Sequence, residues 1–207
     1  MRVLARATVF ACALSVLWSA PSSAQRRVQL DVGVPSQATP VTVTATGLFG
    51  DPDMRELVRS GFPASLRYRL ELWRASGLFN DLEGTHEWEL IVQYDPSGQR
   101  YRVVRREAGR LEDLGSFATL STAQAMLERP LRIALSPQRQ SKKYYYNFVL
   151  DISALSVSDM DQLERWLRGV RGGSAAGAIG SGMRTLMLRM LGGENRHYER
   201  RSSTFLN

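Results

Sequence analysis

The chain has 207 residues, 43% of them hydrophobic and 23% charged, the composition of one globular domain with room for an appendage, which argues against wholesale disorder and against a polytopic membrane protein. One Cys and two His leave no material for a disulfide framework, a Cys-rich zinc or iron–sulfur site or a His-rich metal centre, so neither a metal nor a cofactor is expected. The net charge is +7 and unevenly placed: from Arg165 to Asn207 there are eight Arg against Glu194 and Glu199.

Arg2 and Arg6 precede an uncharged apolar run, Ala7 to Trp18, and Pro21-Ser22-Ser23-Ala24 supplies small residues for cleavage before Gln25. That order is the one of a secretory signal over residues 1–24. An apolar stretch of about a dozen residues falls short of the roughly 20 that a membrane span needs. An uncleaved anchor and lipidation at Cys12 are the competing readings. Export predicts a periplasmic or secreted protein, where the abundant anions are lipid headgroups and envelope polymers; no nucleic-acid partner is expected.

Val28, Leu30, Val32 and Val34 alternate with polar residues, and Val41 to Thr46 is rich in β-branched residues, so both read as strands. Gly50-Asp51-Pro52 opens a short helix with Met54, Leu57 and Val58 on one face, and Gly61 stops it. In Leu66 to Trp73 the residues Leu66, Tyr68, Leu70 and Leu72 point one way and Arg67, Arg69 and Glu71 the other. Trp88, Leu90, Val92 and Tyr94 repeat the alternation up to the turn at Asp95-Pro96-Ser97-Gly98. Setting Tyr94 opposite Gln99 pairs Glu87 with Arg106 and Val92 with Tyr101. His86 reads as part of a Gly-containing loop. Leu111 to Ala118 is a weaker strand, and Ser121 with Gln124 reads as the capping box of a short helix. Leu131 to Leu135 and Tyr144 to Ile152 are further strands. Ser158 to Val170 reads as a third helix with an apolar stripe of Met160, Leu163, Leu167 and Val170. The expected fold is mainly β (α+β): an antiparallel β-sandwich or strongly curved sheet of about eight strands with three short helices. It occupies residues 25–168, followed by a Gly/Ala/Ser linker at 169–182 and, at 183–207, a short amphipathic segment and basic tail.

Chemical motifs are weak. No G-x-S-x-G elbow, phosphate loop, H-E-x-x-H or EF-hand loop occurs. The acidic clusters Asp51/Asp53/Glu56 and Asp159/Asp161/Glu164 sit in first helical turns, where carboxylates cap free amides. Glu87 and Glu89 read as the solvated side of a strand opposite Arg. Lys142-Lys143-Tyr144-Tyr145-Tyr146 could bind single strands by stacking, but alternation puts Tyr144 and Tyr146 in the core and leaves only Tyr145 outward. On a helix, Met183, Leu186, Met187, Met190 and Leu191 cluster beside Arg184 and Arg189, a segment suited to docking on an anionic membrane surface, on an envelope protein, or back on the body over a sheet edge. Tyr68, Leu70, Trp88 and Tyr146 are the candidate lining of an apolar ligand site should the sheet curve around a cavity.

Gly61-Phe62-Pro63, Leu70-Glu71-Leu72-Trp73-Arg74, Trp88 to Asp95, Tyr101-Arg102-Val103, Ser116 to Leu120 and Leu150 to Leu155 together resemble the bacterial domain-of-unknown-function family numbered 4390. The resemblance spans roughly Val28 to Arg168 and implies an exported β-rich protein, with no catalytic residue to carry over and an association with envelope signalling. The expected function is a non-enzymatic extracytoplasmic interaction module; the alternative is a carrier of a small apolar ligand or lipid.

Overall fold

A computed structural model of the protein describes residues 27–35, 40–77, 79–154 and 196–207. The predicted signal at 1–24, the predicted third helix, the linker and the amphipathic segment with Met183, Arg184, Leu186, Met187, Arg189, Met190 and Leu191 lie outside the described residues. Among those described, ten strands and two helices follow one another: β1 Gln29–Gly33, β2 Val41–Thr46, α1 Pro52–Arg59, β3 Ala64–Ala75, β4 Asn80–Asp95, β5 Arg100–Glu107, β6 Arg110–Phe117, α2 Leu120–Leu127, β7 Leu131–Ile133, β8 Lys143–Ala154, β9 Arg196–Arg201 and β10 Phe205–Leu206. All strand pairs are antiparallel. They form a three-stranded sheet ordered β1-β2-β7 and a seven-stranded sheet ordered β10-β8-β3-β4-β5-β6, with β9 also on β8, and the arrangement does not close into a barrel.

The core lies between the two sheets. Val41, Val43 and Ala45 of β2 face Leu66, Tyr68, Leu70 and Leu72 of β3, Trp88 and Leu90 of β4, and Tyr144, Tyr146, Phe148 and Leu150 of β8. The period-two stripes therefore point where alternation puts them: an apolar side chain on every second residue is removed from water on one face, and each such burial contributes about 1.5–3 kcal/mol. Helix α1 is delimited by its ends. The Asp51 carboxylate accepts from the amides of Asp53 and Met54 at 2.8 and 3.0 Å, while Gly61, at φ 92°, lets the Gly61 and Phe62 amides return to Val58 and Leu57.

Four expectations need correction. The β4–β5 register pairs Tyr94 with Tyr101, Val92 with Val103 and Glu89 with Arg106, two residues away from the expected one, because the four-residue loop begins one residue later than expected: Asp95 pairs with Arg100, and Gln99, at φ 50°, closes the turn. A slip of two keeps every side chain on its face, so hydrophobic pattern alone cannot exclude it. His86 is not in a loop: β4 begins at Asn80, and His86 pairs with Leu70. Gly84 marks close packing, since a Cβ there would stand 2.9 Å from Leu135 Cδ1. The cap of α2 is Thr119 with Thr122, two residues before Ser121. Finally, residues 196–206 are not a basic tail but supply β9 and β10, both on the outer edge of β8.

Candidate functional site

Three places on this frame concentrate polar or accessible groups. The first is Glu89. With Ser65 it makes up the buried polar residues of the described chain, which overturns its reading as a solvated residue; Glu87, its neighbour on the same face, stays exposed. Ser65 Oγ donates to Glu89 Oε1, Arg67 Nε stands 3.4 Å from the same oxygen, and Arg106 Nε donates to Oε2 at 2.6 Å. A buried carboxylate is tolerated when its lone pairs are met by charged donors. Ser65, Arg67 and Arg106 thus meet both oxygens of the Glu89 carboxylate.

Arginine–carboxylate pairs extend across the same sheet. Arg102 meets Asp113 at 2.6 Å, Arg105 meets Glu112 at 2.6 Å, Arg74 meets Asp81 at 2.5 Å and Arg69 meets Glu71 at 2.9 Å. Arg69 and Arg102 lie on the face that Glu89 shares, and Arg74 and Arg105, opposite Tyr144 and Leu90, on the core face, so the sheet pairs charges with its own residues on both faces. At the other strand edge, His197 Nδ1 lies 2.7 Å from Asp151 Oδ1. A carboxylate-oriented imidazole is half of a hydrolytic relay, but the far nitrogen of His197 is turned to the Glu199 carboxylate at 3.8 Å, a group that offers no nucleophilic hydroxyl. Asp51, which caps α1, also holds Arg196 of β9 at 2.5 Å. Burial pulls the Asp51 carboxyl upward, yet the Arg196 guanidinium and the Met54 and Asp53 amides outweigh it and keep the carboxyl below its ordinary value.

The second place is a groove of about 550 Å³ between the two sheets' open edges. Val28 to Asp31 line it from β1 and the residue before it, Thr44 and Thr46 from β2, and Tyr198 to Arg200 from β9. Consecutive residues of a strand point to opposite faces, so runs of three or four in the lining mean that the strand edges, with their main-chain groups, form the walls. Among the described residues β1 pairs only with β2, and β9 only with β8. Sequence alternation could not disclose this groove, because it joins segments some 170 positions apart through an edge strand that reads as a charged tail.

The third place is the interior at Tyr68, Leu70, Trp88 and Tyr146, which the structure does bring together in one core. Tyr68 stacks on Trp88 at 5.0 Å and on Phe148 at 6.0 Å, and Trp88 on Phe148 at 6.1 Å. The Tyr146 hydroxyl donates to the Leu135 carbonyl at 2.6 Å, and burial raises its pKa to about 12. The Tyr68 hydroxyl and the Trp88 indole N–H, both buried, have no hydrogen-bond partner among the described residues. Of Lys142 to Tyr146, Lys143 onward lies in β8, a sheet strand as expected, with one difference: Tyr145, though outward-facing, is covered, its ring 3.4 Å below the Arg201 guanidinium and stacked beside Trp73. Among the described residues no group of three or more His, Cys, Asp or Glu could hold a metal ion. No family model, no curated protein and no solved structure matches the chain.

Proposed function

We propose that the protein is a non-enzymatic extracytoplasmic interaction module whose protein partner engages the groove between β1 and β9. One observation carries the reading: two strand edges, unpaired among the described residues, wall the same accessible groove. Such edges offer main-chain donors and acceptors to an added strand, and the adjoining side-chain positions set which strand fits. The large sheet, whose arginines are largely ion-paired, has fewer free charges to offer. Site-specific photo-crosslinking in cells tests this. A photoreactive residue at Asp31 or Arg200 is expected to give a discrete protein adduct that the same residue at Glu112, on the opposite edge strand β6, does not give. Adducts shared by all three positions, or absent from the first two, reject the reading.

A second reading, a carrier of a small apolar ligand or lipid, is favoured by the unpartnered Tyr68 hydroxyl and Trp88 N–H, which an acceptor oxygen of a bound molecule would satisfy. Mutual stacking of Tyr68, Trp88 and Phe148 weighs against it, since the rings fill space against one another.

A further inference from the structure

We infer that the end of the large sheet opposite the α1 end is a contact surface for an anionic lipid bilayer. The large apolar side chains most exposed among the described residues are Phe79, Leu206 and Leu82, at 79%, 70% and 50%. Scattered apolar residues mean little, but the register gathers these. Asn80 pairs with Ala75, Ala75 with Lys143, and Lys143 with Leu206, so one row crosses four strands from the residue after Phe79 to Leu206. At about 4.8 Å per strand step that row is about 14 Å wide. Leu82 stands on the next turn of the pleat, opposite Trp73.

The charge between these residues is positive. Lys142 and Lys143, the chain's only lysines, and Arg139 are exposed and have no carboxylate partner among the described residues, whereas the nearby Asp81 is held by Arg74 at 2.5 Å. The Lys142–Leu206 neighbourhood is also tied together: Ser141 N donates to Asn207 O at 2.6 Å, Asn207 N donates to Lys142 O at 3.2 Å, and Phe205 stacks on Tyr146 at 5.4 Å. Apolar tips standing out from a hairpin end and strand ends, with flexible ammonium groups between them, match the boundary between acyl chains and anionic headgroups: the rings and aliphatic groups enter, and the lysines stay at headgroup level. A protein partner would instead have to supply three separate pockets. This surface lies on other residues than the β1–β9 groove and does not require it.

Co-sedimentation of the full chain with vesicles tests the inference, comparing phosphatidylglycerol-containing with pure phosphatidylcholine vesicles. Binding is expected to the anionic vesicles and to weaken with salt. The pair Phe79→Ser/Leu206→Ser should lower it at least tenfold. Lys142→Glu/Lys143→Glu should do the same, since each cation near an anionic surface is worth about fivefold in affinity. In the unmodified protein, anionic vesicles should slow acylation of Lys142 and Lys143 by an amine reagent, a readout that needs no variant to fold. Binding that is unchanged in both double variants, that is lost only in Met187→Ser/Met190→Ser, or that leaves both lysines fully reactive overturns the inference, as does the absence of binding. Adducts from Asp31 that persist in Phe79→Ser/Leu206→Ser would show that the groove acts independently.

Discussion

Glu89 and Glu87 face the same way along β4, and the sequence offers no reason to treat them differently. Their surroundings do. Glu89 sits opposite Arg67 on one side and Arg106 on the other, and diagonally from Ser65, whose hydroxyl is fully buried. Only the pairing of β3, β4 and β5 brings these four residues together, and no local pattern encodes it. Removing the carboxylate leaves a buried hydroxyl and two guanidinium groups without their acceptor. Loss of a partner from a buried pair costs about 3–5 kcal/mol, but Arg67 and Arg106 reach water over 58% and 32% of their side chains and can turn outward. The expected destabilisation for Glu89→Ala is therefore about 2 kcal/mol, with Glu89→Gln milder because an amide oxygen still accepts from Ser65. Urea unfolding measures both. A Glu89→Ala protein as stable as the original would mean that the cluster is idle, and a functional role for Glu89 would then have to be sought.

At the scale of elements, legibility followed the strength of the alternation. The inward faces of β3, the second half of β4 and β8 are read directly from Leu66 to Leu72, Trp88 to Tyr94 and Tyr144 to Ile152, and α1 from the Asp51 cap and the Gly61 stop. Elements held together by distant contacts were not legible in this way. The first half of β4 carries Gly84, a loop signal in sequence, which the fold uses for close approach of Leu135. The start of α2 is misplaced by two residues because Gln124 donates to Glu128 at 2.7 Å and Thr119 does the capping. Strand β9, Arg-His-Tyr-Glu-Arg-Arg, has one aromatic and five polar positions, so its extended form is imposed by pairing with β8, as expected when strand propensity reflects context. It is joined to β10 through Ser202, whose amide donates to the Tyr146 carbonyl at 2.9 Å and whose hydroxyl accepts from the Tyr146 amide at 2.9 Å. Tyr198 and Phe205 pack against the core. A chain ending at residue 195 should therefore lose about 3 kcal/mol or more of stability, read as a lower urea midpoint, besides exposing the edge of β8 to self-association. An unaltered midpoint would return these residues to the status of an appendage.

For the molecule as a whole, two sheets with open edges could stack into larger assemblies, and the edges carry features that oppose it. Strand β6 presents Arg110, Glu112 and Asp113 and a register shift near Gly115, at φ 119°, and β9 presents four charged residues in six; charge and irregularity at an edge oppose unplanned pairing. A strand added at these edges would have to match their charges, as the proposed interaction module requires. The interior bears on the rival carrier reading through Tyr68. Its ring is stacked on Trp88 and wholly buried, its hydroxyl has no partner among the described residues, and burial, reinforced by the Glu128 charge, pushes its pKa well above the ordinary 10.0. If the interior is dry there, Tyr68→Phe keeps the stack and removes an unsatisfied group, so stability rises by about 1 kcal/mol at neutral pH. The pH dependence has a fixed sign. A tyrosine whose folded pKa is raised contributes its full stability below the unfolded value, and that contribution declines as pH climbs from about 10 toward the folded value, because the unfolded chain releases the proton first. The advantage of Tyr68→Phe should therefore widen above pH 10, as thermal or urea unfolding across that range will report. A loss of stability at neutral pH would mean instead that the hydroxyl is bonded to something inside the protein, and ligand extraction from the purified chain would then be the measurement that follows.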